Sequence, residues 1–304
     1  MGAIDDVTEY EALRPLLFSI AYRMLGSASE AEDVVQEAFL RFHRAGVAED
    51  VESPKAYLSA VTTRLAIDEL RSARARRETY VGEWLPEPII TEPETDAAEL
   101  AETADTLSLA FLVLLETLSP VERAVFLLHD VFDFDYAEIA RIVGKSEANC
   151  RQIALRARRH VDERRPRFET SREQRAELGT RFFTAIVEGD LDAALELLAP
   201  DVVLHGDGGG KAPAIARPLF GRERVGRALL GWAQQGLAAG ATFRPAWVNG
   251  HPGGVGLDRE GRIVNVLEIE IDDGLIKTVH SILNPDKLDH LGPVGNARDV
   301  LRRS

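Results

Sequence analysis

Residues 135–159 read DYAEIARIVGKSEANCRQIALRARR, and this stretch decides the architecture of the surrounding chain. Asp135 with Glu138 is a helix-start signal, and a short helix with Ile139, Ala140 and Val143 inward follows. Gly144-Lys145-Ser146 makes a tight turn, with Ser146 placed to cap a second helix. That second helix puts Cys150, Ile153, Ala154 and Ala157 on one face, and Asn149, Arg151, Gln152, Arg156, Arg158 and Arg159 on the other. Two helices joined by a short glycine-containing turn, the second basic on its outer face, make a helix-turn-helix. Arg151, Gln152 and Arg156 present the paired hydrogen-bonding groups that guanine and adenine edges accept. A helical hairpin with a merely solvated basic face is the plainer alternative.

Working outward, Ser119-Pro120-Val121-Glu122 is a proline-led capping box that opens the helix before it. Further back, Ser29 with Glu32 has capping-box spacing, and Ala31, Val34, Val35, Ala38, Phe39 and Phe42 recur on one helical face, with Gly46 as a stop. Ser53-Pro54 opens another helix with Tyr57, Leu58, Val61 and Leu65 as its stripe and a basic far end: Arg64, Arg71, Arg74, Arg76 and Arg77. Basic helix ends also suit the helix dipole without any nucleic acid. Between the helical blocks, Pro86, Pro88 and Pro93 stand among acids, which is linker composition. Trp84 in that linker would expose a large apolar area, so it is expected to dock on something.

After Pro166 helices cover about residues 171–198 and 221–235, with Phe182, Phe183, Ile186, Leu191, Leu195 and Leu198 as core candidates. Strand signals follow at 242–248, 255–257, 263–271 and 275–283, the last two joined by the hairpin turn Asp272-Asp273-Gly274. Helices first and antiparallel strands after imply an α+β domain.

The net charge of −14 excludes a protein that grips naked DNA through bulk charge. Charge is nevertheless patterned: residues 81–116 hold no Lys or Arg, whereas residues 141–167 are predominantly basic. Such a chain suits a protein that meets DNA inside a larger complex. The single cysteine, Cys150, excludes an intrachain disulfide and a cysteine zinc cage. No apolar run approaches the roughly 20 residues of a membrane helix, and the acidic start is unlike a signal peptide. A cytoplasmic protein with no membrane partner is expected.

The string Glu30-Ala31-Glu32-Asp33-Val34-Val35-Gln36-Glu37-Ala38-Phe39-Leu40-Arg41 resembles region 2 of extracytoplasmic-function sigma factors, at the helix that grips the β′ coiled coil of RNA polymerase. Ser53 to Leu58 and Asp68-Glu69-Leu70-Arg71 resemble their −10-reading helix. Leu118 to Leu128, Tyr136 to Val143 and Ser146 to Arg159 resemble region 4, which reads the −35 element and binds the β flap. The resemblance implies polymerase contacts from Asp33, Gln36, Glu37 and Arg41. It implies −10 contacts from Arg64, Arg71, Arg74, Arg76 and Arg77, and −35 contacts from Lys145, Ser146, Asn149, Arg151, Gln152, Arg156 and Arg159. Thr63-Arg64 departs from the arginine-asparagine pair of many members.

The tail resembles the SnoaL-like, nuclear-transport-factor-like cone fold. Three motifs resemble those of the sigma factors that carry it: Trp84-Leu85-Pro86-Glu87-Pro88, Asp207-Gly208-Gly209-Gly210-Lys211 and Asn284-Pro285-Asp286-Lys287-Leu288. The implied organisation is region 2 over 1–80, a linker over 81–105, region 4 over 106–166 and a regulatory tail over 167–304. Core polymerase and promoter DNA are the implied partners, with no separate anti-sigma protein, no cofactor, no metal and no catalytic residue, though the tail could take an unknown small ligand. From the residues themselves, the glycine loop has room for the Trp84 linker, with Lys211 near Glu83 or Glu87. The competing expectation is an enzymatic tail, for which His205, Asp207, Glu268, Glu270 and His280 are the acid–base candidates.

Overall fold

The computed structural model describes residues 3–44, 53–77, 79–91, 105–162 and 170–301; side chains are described for these residues except 3–10, 73–77 and 162. The chain forms two compact units: Met1–Thr79 with Leu112–Arg165, and Tyr80–Phe111 with Pro166–Ser304.

The first unit is helical. Its elements are α1 (Ala3–Leu25), α2 (Ala28–Arg44), α3 (Pro54–Arg77), the end of α4 (Leu109–Leu115), α5 (Pro120–Asp130), α6 (Tyr136–Val143) and α7 (Glu147–Asp162). The capping box of Ser119 and Glu122 forms, and Asp135 accepts from the Glu138 amide. One start differs from the expectation: α2 begins at Ala28, and the hydroxyl of Ser27 accepts from the Glu30 amide at 3.1 Å. The sequence offers two overlapping Ser-x-x-Glu frames, and the αL conformation of Gly26 (φ 66°) sets the earlier one. The expected stop at Gly46 lies outside the described residues. On α3 the buried face carries Leu58, Thr62, Thr63, Ala66, Ile67 and Leu70, so Tyr57, Val61 and Leu65 are only half-buried. Thr63 turns inward by donating its hydroxyl to the Ser59 carbonyl at 2.8 Å.

The second unit is α+β. It contains β1 (Ile90–Thr91), α8 (Arg172–Glu188), α9 (Leu191–Leu197), β2 (Leu198–Asp207), β3 (Leu219–Phe220), α10 (Arg222–Ala238), β4 (Thr242–Val248), β5 (His251–Leu257), β6 (Ile263–Asp272), β7 (Leu275–Ile282) and α11 (Ala297–Val300). The seven-stranded sheet runs β1-β4-β5-β6-β7-β2-β3. It is not wholly antiparallel: β2, which follows α9 directly at Leu198, lies parallel to β7. Phe182, Phe183, Ile186, Leu204, Val225, Leu229, Ile269, Ile271 and Val279 form the core between helices and one sheet face. Alternate residues of β2, β6 and β7, namely His205, Glu268, Glu270 and His280, project to the opposite face.

The acidic stretch after Tyr80 is more than a tether. β1 pairs with β4, and residues 85–88 are buried. Pro93 and its neighbours fall outside the described residues.

Candidate nucleic-acid interface and the polar junction of the tail

On α7 the tight turn at Gly144 (φ 66°) and the Ser146 cap, which accepts from the Asn149 amide, fix the helix start. Cys150, Ile153, Ala154 and Ala157 are buried, and burial holds the Cys150 thiol above its ordinary pKa. The opposite face then follows from helical geometry. Lys145, Ser146, Asn149, Arg151, Gln152, Arg156 and Arg159 are all exposed. Arg151 is steadied by Glu147 at 3.0 Å and lies over the Tyr136 ring.

On α2 Asp33, Gln36 and Arg41 are exposed and Glu37 is half-buried, pairing with Arg41 at 2.8 Å. Leu40, an apolar residue, lies exposed among them. The five arginines of α3 fall differently. Arg71 is exposed and pairs with Asp68, while the side chains of Arg74, Arg76 and Arg77 lie outside the described residues. Arg64 donates to the carbonyls of Ile142 (2.9 Å) and Arg141 (2.7 Å), at the C-terminal end of α6. Arg123 acts similarly from inside the unit. It is buried, donates to the Met24 and Leu115 carbonyls at 2.6 Å, and pairs with Glu116 at 2.8 Å. Helix C-termini leave carbonyls without intrahelical partners, and a cation there satisfies both the hydrogen bond and the dipole.

In the second unit the three motifs converge on one carboxylate. Asp207 is fully buried and accepts from the Tyr80 hydroxyl (2.5 Å), the Leu85 amide (2.9 Å), the Gly209 amide (3.0 Å) and the Lys287 ammonium (2.6 Å). Lys287 also donates to the Leu85 carbonyl and sits over the Tyr80 and Trp84 rings. Asn284 donates to the Tyr80 hydroxyl at 2.8 Å. Burial and the bond to Asp207 hold the Tyr80 phenol protonated, well above its usual range.

The wiring of this junction differs from the expectation in two respects. Trp84 docks half-buried beneath Lys287, while the buried part of the linker is residues 85–88, with Leu85 the deepest. Lys211 meets Asp286 at the surface, whereas Glu83 pairs with His205 at 2.7 Å. The glycine loop receives Tyr80 and Val81: a Cβ on Gly209 would lie 3.0 Å from the Tyr80 hydroxyl, and one on Gly210 would lie 3.2 Å from Val81. Close backbone approach is therefore what the glycines supply, but to the two residues that enter the linker.

Of the acid–base candidates, Asp207 serves the junction. Glu268, Glu270 and His280 come together, all buried, on the sheet face away from α8 and α10. His280 Nδ1 is 2.6 Å from Glu268, and Glu270 accepts from the Ala110 amide at 2.9 Å. The His205 ring stacks on His280. Burial pushes the Glu268 carboxyl well up and Glu270 to about 8, and presses His280 down to about 4. Between the helices and the other face lies a cavity of 140 Å³ bordered by Phe182, Ile186, Trp232, Phe243 and Leu267, among others. His205 is the one candidate among the five that borders it.

Comparison with known proteins fits this geometry. The Sigma-70 region 2 family matches residues 9–76 and the Sigma-70, region 4 family matches residues 108–161. The ECF RNA polymerase sigma factor SigJ of Mycobacterium tuberculosis is 40% identical over 292 residues, covering 93% of both chains. This chain belongs to the ECF sigma factors. SigI of M. tuberculosis is 34% identical over 285 residues, covering 93% of this sigma factor and 94% of SigI. The crystal structure of M. tuberculosis SigJ superposes with a TM-score of 0.73 at 38% identity, covering 93% of this chain and 98% of SigJ. As a sigma factor the protein binds core RNA polymerase and promoter DNA to initiate transcription. Among the described residues no helix is long and apolar enough to cross a membrane.

Proposed function

We propose that this sigma factor rests in a closed form in which its two promoter-reading regions hold each other, and that core polymerase parts them. The observation that carries this is the capping of α6 by Arg64. The −35 and −10 elements lie about 25 base pairs apart, or roughly 85 Å of duplex at 3.4 Å per step. Helices whose groups hydrogen-bond at under 3 Å cannot reach both. In the open form α7 reads the −35 element through Lys145, Ser146, Asn149, Arg151, Gln152, Arg156 and Arg159. Arg64, released, joins Arg71, Arg74, Arg76 and Arg77 at the −10 element, and Asp33, Gln36, Glu37 and Arg41 engage the β′ coiled coil. The test is a fluorophore pair on Asp68 and Ala137, both exposed, in the full chain. Energy transfer falls on adding core polymerase if regions 2 and 4 part; unchanged transfer in a transcribing complex overturns the reading.

We read the tail as a control domain that does no covalent chemistry and replaces a separate anti-sigma protein, working in the cytoplasm beside the transcription complex. The junction at Asp207 supports this, since it ties the segment between the two sigma regions to the tail. A second reading, small-molecule sensing, is favoured by the apolar 140 Å³ cavity, a size that admits a compact apolar molecule such as a single aromatic ring. Thermal stabilisation by such a molecule, lost in Phe243→Trp, tests it.

A further inference from the structure

We propose that Glu268, Glu270 and His280 form a binding site for one divalent first-row transition metal ion, with Zn²⁺ as the fitting member. This departs from the expectation of a metal-free chain and is independent of the sigma-factor reading.

The backbone builds the site. Glu268 and Glu270 are two apart on β6 and therefore share a face. His280 is the antiparallel partner of Glu268 on β7, so its side chain rises beside that carboxylate. One ligand atom from each residue lies within 4.8 Å of the other two. An ion bound at 2.0–2.2 Å in tetrahedral geometry keeps neighbouring ligand atoms about 3.3 Å apart. Loading then widens the 2.6 Å contact between Glu268 and His280 by about 0.7 Å, within reach of small side-chain rotations.

Charge and hydrogen bonding point the same way. Buried charges are paired or coordinate metals. Two carboxylates and a divalent ion sum to zero. Glu268 is fully buried, and its Oε1 has no hydrogen-bond partner, which is a lone-pair site for a cation. Without metal the cluster balances its charge with protons, so metal uptake releases them. Carboxylates with one neutral imidazole suit Zn²⁺, whereas Mg²⁺ demands octahedral oxygen ligands and keeps its water.

An outer layer is also present. Ser108 and the Ala110 amide hold Glu270, and His205, itself held by Glu83, stacks on His280. Such outer partners orient ligands. Glu83 lies in the linker, and Ser108 and Ala110 lie at the start of region 4, so metal binding would tighten both segments onto the sheet.

The experiment is calorimetric titration of the chelator-treated full chain with Zn²⁺, and in parallel with Mg²⁺, at pH 7.5. One Zn²⁺ per chain is expected, with no Mg²⁺ uptake. The Glu268→Gln/Glu270→Gln double variant should weaken Zn²⁺ binding at least tenfold, and His43→Gln, an exposed histidine on α2, should leave it unchanged. Absence of Zn²⁺ binding, or undiminished binding by the double variant (an adventitious ion only), overturns the proposal. Because the double variant alters buried groups and could misfold, wild-type crystals soaked in Zn²⁺ give the second reading. An anomalous peak at about 2.0–2.2 Å from all three side chains supports the site, and one elsewhere overturns it.

Discussion

Asp207 and Lys287, 80 residues apart in sequence, meet at 2.6 Å in a buried ion pair that also holds both backbone groups of Leu85. Breaking a buried pair by removing one partner leaves an uncompensated charge, at a cost of about 3–5 kcal/mol. Asp207→Asn is therefore expected to destabilise the tail by about that amount, and Lys287→Met comparably. The two changes combined should cost less than their sum. Lys211→Ala, which removes only an exposed pair with Asp286, should cost about 0–1 kcal/mol. Chemical denaturation of the four variants checks the ranking; additive effects at Asp207 and Lys287 would show that the pair is not coupled.

Arg151→Ala and Gln152→Ala change exposed groups on a helix anchored by Cys150, Ile153 and Ala154. Stability should shift by no more than about 0.5 kcal/mol. Loss of a bidentate base contact removes about 1–3 kcal/mol, so −35-dependent transcription should fall about fivefold to a hundredfold. Transcription with reconstituted holoenzyme, together with melting curves, separates the two; a large drop in melting temperature would mean that this face packs inward.

The buried cluster gives the metal-free protein a pH signature. Glu270, with its folded pKa raised to about 8 by burial, binds a proton that the unfolded chain gives up above its ordinary value of 4.5. Its contribution is fully present below 4.5 and is lost as pH rises to 8. His280 works in the opposite sense: lowered to about 4, it weakens the fold as pH falls from 6.5 to 4. The two slopes oppose each other at acid pH, and only the carboxyl slope remains above 6.5. The melting temperature in chelator is expected to decline between pH 6.5 and 8, and Glu270→Gln to flatten that decline. A wild-type curve as flat as that of the variant would discount the burial of Glu270.

The start of α2 yields a simple contrast. Ser27→Ala should cost about 1 kcal/mol, because its hydroxyl accepts from the Glu30 amide, whereas Ser29→Ala inside the first turn should cost less. Denaturation midpoints of the two variants decide between the frames.

Local chemistry by itself determined much of this protein. The caps at Ser119, Asp135 and Ser146, the αL glycine at 144 and the apolar spacing of α7 are interactions within a few residues. They fixed the helix-turn-helix and the outward face of Arg151 and Gln152. The motifs around Trp84, Asp207 and Asn284 were legible as sequence features, yet their wiring was not. That Leu85 is buried rather than Trp84, that Lys287 rather than Lys211 meets the linker, and that Arg64 is held by α6 are contacts across 77 to 202 residues. No local signal encodes them. The same holds for the parallel pairing of β2 with β7, and for the meeting of Glu268 with His280, where strand register decides which side chains share a buried face.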